Sequence, residues 1–221
     1  MKVLAGGKAV TLDVGGTLVE PWPSVGAVYA VAAARAGFGD FDPAVLERRF
    51  GEAWRARGFF DYSREAWAGL VEATFRDLTP RADDPRLLAA LYQAFAQPGA
   101  WRIFPDVPPA LAGLRAAGVR LGIISNWDHR LGALLRDWGL APAIDLTLIS
   151  AEAGFHKPDP RLFARAVEHW GCAPGDILHV GDSPGEDVAG AESAGLRAVL
   201  LDRNGRPGPG RLARLTDLLT G

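Results

Sequence analysis

The sequence predicts an α/β fold in which a doubly wound parallel sheet, of Rossmann-like type, carries an inserted bundle of helices. From residue 101 onward, short apolar runs alternate with helical segments, which is the pattern of right-handed parallel βαβ units. Between about residues 20 and 98, only helical periodicity is found. We therefore expect residues 1–19 and 99–221 to form a sheet-centred core domain and residues 20–98 to form a helical cap domain.

The predicted strands are short apolar segments bounded by polar or turn-forming residues. The first strand precedes the helical insertion, and the others follow it. They are KAVTLDV (8–14), VRLGIIS (119–125), DLTLIS (145–150), DILHVGD (176–182) and RAVLLD (197–202).

The predicted helices of the second half lie between these strands, and their ends are marked by glycines. Glycine adopts the left-handed conformation that closes a helix without steric cost, so we expect it at Gly118, Gly139, Gly171 and Gly195. The helical segments are HRLGALLRDWG (129–139), PRLFARAVEHWG (160–171) and EDVAGAESAG (186–195). Four further helices are predicted in the insertion, over residues 24–37, 43–58, 63–78 and 85–97.

Composition and charge favour a globular protein without a nucleic-acid or membrane partner. The 221 residues are 48% hydrophobic, and 24 Lys and Arg residues against 26 Asp and Glu give a formal net charge of -2. No stretch approaches the roughly 20 apolar residues that span a bilayer, and the N-terminal residues lack the apolar region of a secretion signal. Since Cys172 is the single cysteine, no internal disulfide is possible. These features predict a cytoplasmic location.

Residues able to do chemistry stand at the carboxyl ends of the predicted strands, where open α/β sheets bind their ligands. Asp13 ends the first strand, Ser125 ends the second and Asp182 ends the fourth. Lys157 follows the third strand, and Asp187 lies five residues after Asp182. We expect carboxylates, a hydroxyl and a cation to meet in one crevice.

The stretch LDVGGTL (12–18) is by itself similar to two kinds of loop. One is the phosphate loop of glucokinase-like sugar kinases, and the other is the nucleophile loop of the haloacid dehalogenase superfamily. The kinase interpretation needs further nucleotide-binding segments in a longer chain, and a P-loop pattern is absent. Four motifs in order resemble the haloacid dehalogenase superfamily over nearly the whole chain, and the insertion is similar to its first-type helical cap. The motifs are LDVGGTL, IISNWD (123–128), GFHKPDPRLF (154–163) and VGDSPGEDVAGAESAGL (180–196).

The resemblance implies a nucleophile and a metal site. Asp13 would attack phosphorus and form an aspartyl-phosphate. Mg²⁺ prefers hard oxygen ligands, and Asp13, the backbone carbonyl of Gly15 and Asp182 would hold it. Asp187 would bind the metal through water or orient the site.

The resemblance also implies a phosphate cradle. Ser125 would hydrogen-bond a phosphoryl oxygen, and the backbone N–H groups of Gly16 and Asn126 would complete an anion-binding nest. Lys157 would offset the repulsion between the anionic nucleophile and an anionic substrate. The expected catalytic residues are thus Asp13, Ser125 and Lys157.

Gly15 departs from the pattern of the superfamily's phosphatases, which carry a second aspartate two residues after the nucleophile. That aspartate protonates the leaving group, and general acid–base catalysis contributes about 10²–10⁴-fold. The expected function is therefore a Mg²⁺-dependent phosphatase for a small phosphorylated metabolite, with weak activity or a restriction to good leaving groups. Two alternatives stay open: a non-catalytic protein that binds phosphate and metal, and another hydrolase or phosphotransferase chemistry at Asp13.

Two further features have no predicted catalytic role. His179 lies inside the strand DILHVGD, where a hydrogen-bonded core imidazole is expected. The stretch EAWRARGFFDYSREAW (52–67) concentrates aromatic residues and arginines. It is interpreted either as an aromatic-lined lid over an anionic ligand or as packing between cap and core, with solvated arginines.

Overall fold

The computed structural model of the protein describes residues 8–58, 60–205, 208 and 210–219. They form two compact units. The sheet-centred unit contains the residues up to Val19 and those from Ile103 onward, and the helical unit spans Glu20–Arg102. The helical unit is therefore a single insertion into the sequence of the sheet-centred unit.

The helical unit contains four α-helices in its described residues, as the sequence predicts. Each helix begins after a Ser or Asp whose side chain accepts a hydrogen bond from a backbone N–H of the first turn, which stabilises the helix start. The helices are α1 (Val25–Arg35), α2 (Pro43–Ala56), α3 (Arg64–Phe75) and α4 (Pro85–Ala94). Their N-cap residues are Ser24, Asp42, Ser63 and Asp84.

An apolar and aromatic core holds these helices together. Tyr29 of α1 and Phe75 of α3 are buried, and their ring centroids lie 5.9 Å apart. Phe41 meets Phe75 edge-on at 5.1 Å, and Phe95 meets Tyr29 edge-on at 5.8 Å. Such edge-on pairs contribute about 0.5–1.5 kcal/mol beyond the burial of their area.

A second aromatic cluster joins the end of α2 to α3. The rings of Trp54 and Trp67 stack at 6.1 Å, and Phe60 meets both rings edge-on. The Arg57 guanidinium lies 3.5 Å from the centroid of the Trp54 ring, which is a favourable cation–π contact. These aromatic residues therefore pack on each other within the helical unit; Phe59 lies outside the described residues.

Eight strands are found in the described residues, and six of them form the predicted parallel sheet. In chain order they are β1 (Ala9–Leu12), β2 (Val19–Pro21), β3 (Trp101–Ile103), β4 (Arg120–Ser125), β5 (Leu146–Ile149), β6 (Ile177–Gly181), β7 (Arg197–Leu201) and β8 (Arg211–Leu212). The six-stranded sheet has the order β5-β4-β1-β6-β7-β8, with parallel pairs. The doubly wound topology is confirmed, because the chain builds outward from β1 in both directions.

The central position of β1 follows from its composition. All four of its residues are buried, as expected of a strand whose two faces are covered by helices. Thr11 lies opposite Gly122 in β4 on one side and opposite His179 in β6 on the other. The carboxyl ends of β4, β1 and β6 therefore lie side by side.

Two short strands are missing from the sequence prediction. β2 pairs with β3 in a separate two-stranded sheet, and the Trp22 N–H donates to the Ala100 carbonyl at 2.8 Å. Residues 20 and 21 belong to β2, so the expectation of helices alone from residue 20 onward is wrong at these two positions. Strands of three residues are too short to show a period.

The helices of the sheet-centred unit connect its strands. They are α5 (Val107–Ala116), α6 (Leu131–Asp137), α7 (Ser150–Ala153), α8 (Pro160–Trp170) and α9 (Gly190–Ser193). The four glycines expected in the left-handed region all adopt positive φ, from 56° at Gly171 to 79° at Gly195.

The segment predicted as helical over residues 186–195 is not a single α-helix. Pro184–Ala189 forms a π-helix, and only Gly190–Ser193 is α-helical. The Ser183 carbonyl accepts a hydrogen bond from the Val188 N–H, five residues on, at 3.2 Å. π-helices are rare and frequently lie at functional sites.

Composition led to two expectations, one about disulfides and one about membrane-spanning segments. Cys172 is a free thiol. Among the described residues, no helix combines the length and the apolar character needed to cross a membrane. The cytoplasmic location stays a prediction.

Candidate active site

The carboxyl ends of β4, β1 and β6 bring three of the predicted residues together. Asp13 follows β1, Ser125 is the last residue of β4, and Asp182 follows β6. Because β1 lies between β4 and β6, these side chains are neighbours at one edge of the sheet. Lys157 reaches the same place from the loop that precedes α8.

Asp13 is the centre of the site. Its carboxylate is almost fully buried, and Oδ1 accepts hydrogen bonds from the Ser125 hydroxyl at 2.9 Å and the Lys157 ammonium at 2.6 Å. Burial raises the pKa of Asp13, although the positive charge of Lys157 opposes this shift. A buried carboxylate with a perturbed pKa and a specific charged partner is typical of functional sites.

Lys157 joins two buried carboxylates. Its Nζ lies 2.6 Å from Oδ1 of Asp13 and 2.5 Å from Oδ1 of Asp187. Burial alone would lower the pKa of Lys157, but the two carboxylates outweigh it and raise this pKa. The side chain therefore stays a cation, which stabilises both carboxylates in the interior.

Asn126 holds the backbone of Lys157, a contact that the sequence analysis missed. The side-chain carbonyl of Asn126 accepts a hydrogen bond from the Lys157 N–H at 2.8 Å, and its amide donates to the Lys157 carbonyl at 3.0 Å. The same amide donates to the Glu186 carboxylate at 3.0 Å. The predicted role concerned only the backbone N–H of Asn126. No local signal points to the side chain, because the two residues are 31 positions apart.

Asp187 lies behind the other carboxylates and is almost inaccessible to solvent. Oδ1 is 2.5 Å from the Lys157 ammonium and 3.1 Å from Nε2 of His179, and Oδ2 accepts a hydrogen bond from the Ser183 N–H at 2.9 Å. Burial would raise the pKa of Asp187, but Lys157 and His179 outweigh it and hold this pKa well below its usual range. Because both oxygens have donors, the arrangement suits an orienting role.

Asp13, Asp182 and Asp187 together form a cluster of oxygen donors. One carboxylate oxygen from each lies within 4.8 Å of the others. Asp182 is partly open to solvent, but loss of water on its protein side, and then the charges of Asp13 and Asp187, raise its pKa to about 7. Three carboxylates meet a single ammonium here, so hard oxygen donors and residual negative charge both suit a divalent cation.

Gly16 has a structural role that differs from the expected one. Its N–H donates to the Val19 carbonyl at 2.8 Å, so this group is not available to a phosphoryl oxygen. Its φ is 75°, and a Cβ at this position would lie 2.3 Å from Oδ2 of Asp182. Glycine is needed here because the chain turns through the left-handed region directly against that carboxylate. The Gly16 N–H is therefore not a candidate phosphate-binding group.

Gly15, in contrast, has room for a side chain. Its φ lies outside the left-handed region. Among the described residues, a Cβ there would meet only Cζ3 of Trp127, at the ordinary van der Waals distance of 3.5 Å. The backbone therefore does not require glycine at this position.

Most of the residues predicted from the sequence converge in this region. Hydrogen bonds link Asp13, Ser125, Lys157, Asn126 and Asp187. Asp182 belongs to the carboxylate cluster, and Gly15 and Gly16 lie in the loop after Asp13. The residues that the sequence analysis missed are Glu186 and, as a partner of Asp187, His179.

Comparison with known proteins shows which family of proteins the chain is similar to. The sequence profile of haloacid dehalogenase-like hydrolases matches residues 8–195. The chain is 34% identical over 207 residues to the haloacid dehalogenase-like hydrolase domain-containing protein 3 of Danio rerio. That alignment covers 88% of this chain and 84% of the relative.

Two relatives have names that include an activity. Over 151 residues, which are 64% of this chain and 59% of the relative, the chain is 38% identical to a phosphoserine phosphatase of Thermus thermophilus. Among solved structures, it is similar to a haloacid dehalogenase (HAD) phosphatase from Thermococcus onnurineus, with 27% identity and a TM-score of 0.67. That similarity covers 97% of this chain and 98% of the other.

Proposed function

Because the chain belongs to the haloacid dehalogenase-like hydrolase family, we propose that it is a Mg²⁺-dependent phosphatase that acts on a small phosphorylated metabolite through a phosphorylated Asp13. The observation that carries the proposal is the setting of Asp13, whose Oδ1 accepts hydrogen bonds from Ser125 and Lys157 beside two further carboxylates. Similarity to a phosphoserine phosphatase and to a HAD phosphatase supports the reaction class.

The residues that would hold Mg²⁺ are Asp13, Asp182 and the backbone carbonyl of Gly15. Few protein oxygens are needed, since this ion usually keeps several of its waters. When bound, the ion would neutralise negative charge on the phosphoryl group. Asp187 would orient Lys157 instead of binding the metal directly, because both of its oxygens already accept hydrogen bonds.

Oδ2 of Asp13 is the oxygen that we assign to attack phosphorus, since Ser125 and Lys157 both donate to Oδ1. A bond forms from Oδ2 to phosphorus while the bond from phosphorus to the leaving oxygen breaks, and that oxygen departs with the electron pair. Ser125 and Lys157 would stabilise the phosphoryl oxygens with hydrogen bonds and positive charge. Water then hydrolyses the aspartyl-phosphate and regenerates Asp13.

Gly15 supplies no group that could protonate the leaving oxygen. An alkoxide is a poor leaving group without a proton, whereas a carboxylate, a phosphate or a phenolate departs without one. The preferred substrates should therefore be acyl phosphates, phosphoanhydrides or aryl phosphates. The disadvantage of alkyl phosphates should be about 10²–10⁴-fold, the usual contribution of acid–base catalysis.

A series of leaving groups tests this proposal. Hydrolysis of acetyl phosphate, an aryl phosphate and an alkyl phosphate is measured with and without Mg²⁺ for the wild type, Asp13→Asn and Asp128→Asn. Asp128 is the matched control, because it is also buried near a strand end but pairs with Arg130. We expect Mg²⁺-dependent hydrolysis in the wild type and in Asp128→Asn and none in Asp13→Asn. Undiminished hydrolysis by Asp13→Asn would refute the proposal.

A phosphoryl mimic separates catalysis from binding alone. Beryllium trifluoride should bind to the wild type in the presence of Mg²⁺ and should not bind to Asp13→Asn. Binding of the mimic by a wild type that hydrolyses none of the three substrates would favour the alternative, a non-catalytic protein that binds phosphate and metal.

A further inference from the structure

We infer that His179 is a positioning residue: its imidazole fixes the Asp187 carboxylate and thereby holds the Lys157 ammonium against Asp13. The sequence predicts only a hydrogen-bonded core imidazole, whereas the structure shows that one of its two partners belongs to the candidate active site. The role of His179 in hydrolysis rests on the function proposed above; its hydrogen bonds do not.

The orientation of the His179 ring is determined on three sides. The residue is fully buried in β6 and lies in register with Thr11 of β1. Nδ1 lies 2.9 Å from the Thr11 hydroxyl, and Nε2 lies 3.1 Å from Oδ1 of Asp187. Phe163 packs edge-on against the ring at 5.1 Å. Both nitrogens therefore have a polar partner, and rotation of the ring would break two hydrogen bonds.

The partners of the ring also determine where its proton lies. Asp187 is paired with the Lys157 ammonium at 2.5 Å, so its carboxylate is ionised and only accepts hydrogen bonds. Nε2 of His179 must therefore carry a proton, because a lone pair at Nε2 would face a negatively charged oxygen. Nδ1 forms the second hydrogen bond with the Thr11 hydroxyl, which donates if Nδ1 bears a lone pair and accepts if Nδ1 bears a proton.

β6 accommodates Asp187 at two positions on the same face. Side chains alternate along a strand, so residues 179 and 181 point in the same direction. A Cβ at Gly181 would lie 2.1 Å from Cγ of Asp187, so the absence of a side chain there admits the carboxylate. His179 supplies a donor to that carboxylate, and the Ser183 N–H supplies another at 2.9 Å.

Asp187 in turn sets the position of Lys157. The ammonium is shared between Asp187 and Asp13 at 2.5 and 2.6 Å. Without His179, the Asp187 carboxylate would keep Lys157 as its one side-chain donor, and the terminal torsion of an aspartate has a broad energy minimum. Lys157 would then move with Asp187, and its hydrogen bond to Asp13 would no longer be fixed.

Four variants separate positioning from packing. His179→Leu removes both hydrogen bonds of the ring, whereas His179→Gln keeps a donor that can reach Asp187. Thr11→Val removes only the hydroxyl that faces Nδ1. Thr74→Val is the matched control, because Thr74 is an equally buried threonine of the helical unit whose hydroxyl donates to the Leu70 carbonyl.

Two NMR signals test the inference without any activity. Long-range ¹H–¹⁵N correlations of the His179 ring should show a proton on Nε2, a measurement for which no variant has to fold. The chain contains three lysines, Lys2, Lys8 and Lys157, so the ¹⁵Nζ resonance of the buried one is readily assigned. We expect this resonance to move in His179→Leu, to return towards its wild-type position in His179→Gln and to stay in place in Thr74→Val.

Hydrolysis of an aryl phosphate with Mg²⁺ gives the functional readout. The value of kcat/KM should fall by about tenfold or more in His179→Leu, as for other residues that orient active-site ligands. It should recover in His179→Gln and stay unchanged in Thr74→Val.

The possible failures of the two proposals are distinguishable. Absence of a proton from Nε2 of His179 in the wild type, or an unmoved Lys157 resonance in folded His179→Leu protein, overturns the inference whatever the activity. If both NMR results are as expected but the wild type hydrolyses no substrate, the positioning of Lys157 is supported and the proposed function is refuted.

Discussion

The two units of the protein fill their interiors with different kinds of residue. Among the described residues, every buried polar or charged side chain except those of Tyr29 and Thr74 lies in the sheet-centred unit. Three of them, Asp13, Lys157 and Asp187, form a chain of ion pairs. The interior of the helical unit is apolar and aromatic instead, and the buried Thr74 hydroxyl bonds to a carbonyl of its own helix.

This contrast shows which unit is organised for packing and which for chemistry. A buried ion pair adds little stability compared with apolar residues of the same volume, because each charge loses its water. The described buried side chains of the helical unit carry no charge, so this loss of hydration does not arise there. In the sheet-centred unit, the buried charges lie at the edge of the sheet where ligands bind in open α/β folds. Such buried charge suits the ionic substrate and the metal of the proposed function.

Replacement of Lys157 by Met should have the largest effect. The change leaves Asp13 and Asp187 buried without a cation, and removal of one partner of a buried ion pair costs about 3–5 kcal/mol. Native-state hydrogen exchange measures this loss, because it reports the free energy of opening separately for β1, β4 and β6 and for α1 to α4.

The control for Lys157→Met is Leu87→Met in the helical unit. Leu87 is fully buried, and exchange for Met nearly conserves its volume, so its cost should be less than about 1.5 kcal/mol. Equal losses in the two units would show that the buried charges have no special weight in the stability of the sheet-centred unit.

A second prediction adds a charge to the site. Gly15→Asp should raise hydrolysis of an alkyl phosphate by about 10²-fold, the lower range of acid–base contributions, which corresponds to about 2.7 kcal/mol in the barrier. Hydrolysis of an acyl phosphate should change much less, because its leaving group needs no proton. The structure admits the substitution, since a Cβ at Gly15 would lie 3.5 Å from Trp127.

Gly69→Asp provides the matched control for Gly15→Asp. Gly69 is an exposed position of α3 with no described atom within 4 Å of a Cβ, so the new carboxylate should leave hydrolysis unchanged. If the wild type already hydrolyses alkyl phosphates briskly and folded Gly15→Asp protein gains nothing, another residue supplies the proton and our account of Gly15 is wrong.

A third prediction concerns the metal. Mg²⁺ at ten times its dissociation constant should stabilise the wild type by about 1.4 kcal/mol, since it binds the native state, and Asp182→Asn should abolish this gain. Thermal unfolding with and without Mg²⁺ measures it. Asp84→Asn is the control in the helical unit, because Asn caps a helix about as well as Asp. An equal Mg²⁺ shift in Asp182→Asn would reject Asp182 as a ligand.

The smallest effect is expected from Thr74→Val. The Leu70 carbonyl that accepts from the Thr74 hydroxyl at 2.8 Å lies in the same helix and also accepts a backbone N–H. No buried group loses its last partner, so the free energy of unfolding should change by less than about 0.5 kcal/mol, as measured by urea denaturation.

Thr11→Val gives the corresponding value for the sheet-centred unit. It leaves Nδ1 of His179 buried without a hydrogen-bond partner, which costs about 1–3 kcal/mol. The contrast between the units would be contradicted if the two threonine variants, Thr74→Val and Thr11→Val, lost the same stability.

Local patterns were sufficient for most of the fold. The four helices of the insertion and the strands of the large sheet were predictable because apolar period, helix caps and turn residues act over a few neighbouring positions. The second helix, for example, begins at Pro43 after the N-cap Asp42, as both residue types favour. Prediction failed at β2 and β3, which are too short to show a period, and the sequence did not indicate that the last predicted helical segment begins as a π-helix.

The candidate site, too, could be predicted in part from the sequence. Asp13, Ser125 and Asp182 could be placed together because the ends of neighbouring parallel strands meet at one edge of the sheet. That rule needs only the order of the strands and motifs along the chain. The same rule brought Lys157 and Asp187 into the crevice, and the resemblance carried by the motifs implied their roles.

Only the tertiary structure decides which side chains within the site hold one another. Thr11 and His179 are 168 positions apart and meet through the register of β1 with β6. The Asn126 side chain donates a hydrogen bond to the backbone carbonyl of Lys157, 31 positions away. Packing of apolar side chains does not depend on one exact orientation, so a pattern of apolar residues can be recognised in a short segment. Hydrogen bonds require a donor and an acceptor about 3 Å apart at a favourable angle, and that geometry exists only after distant strands have packed.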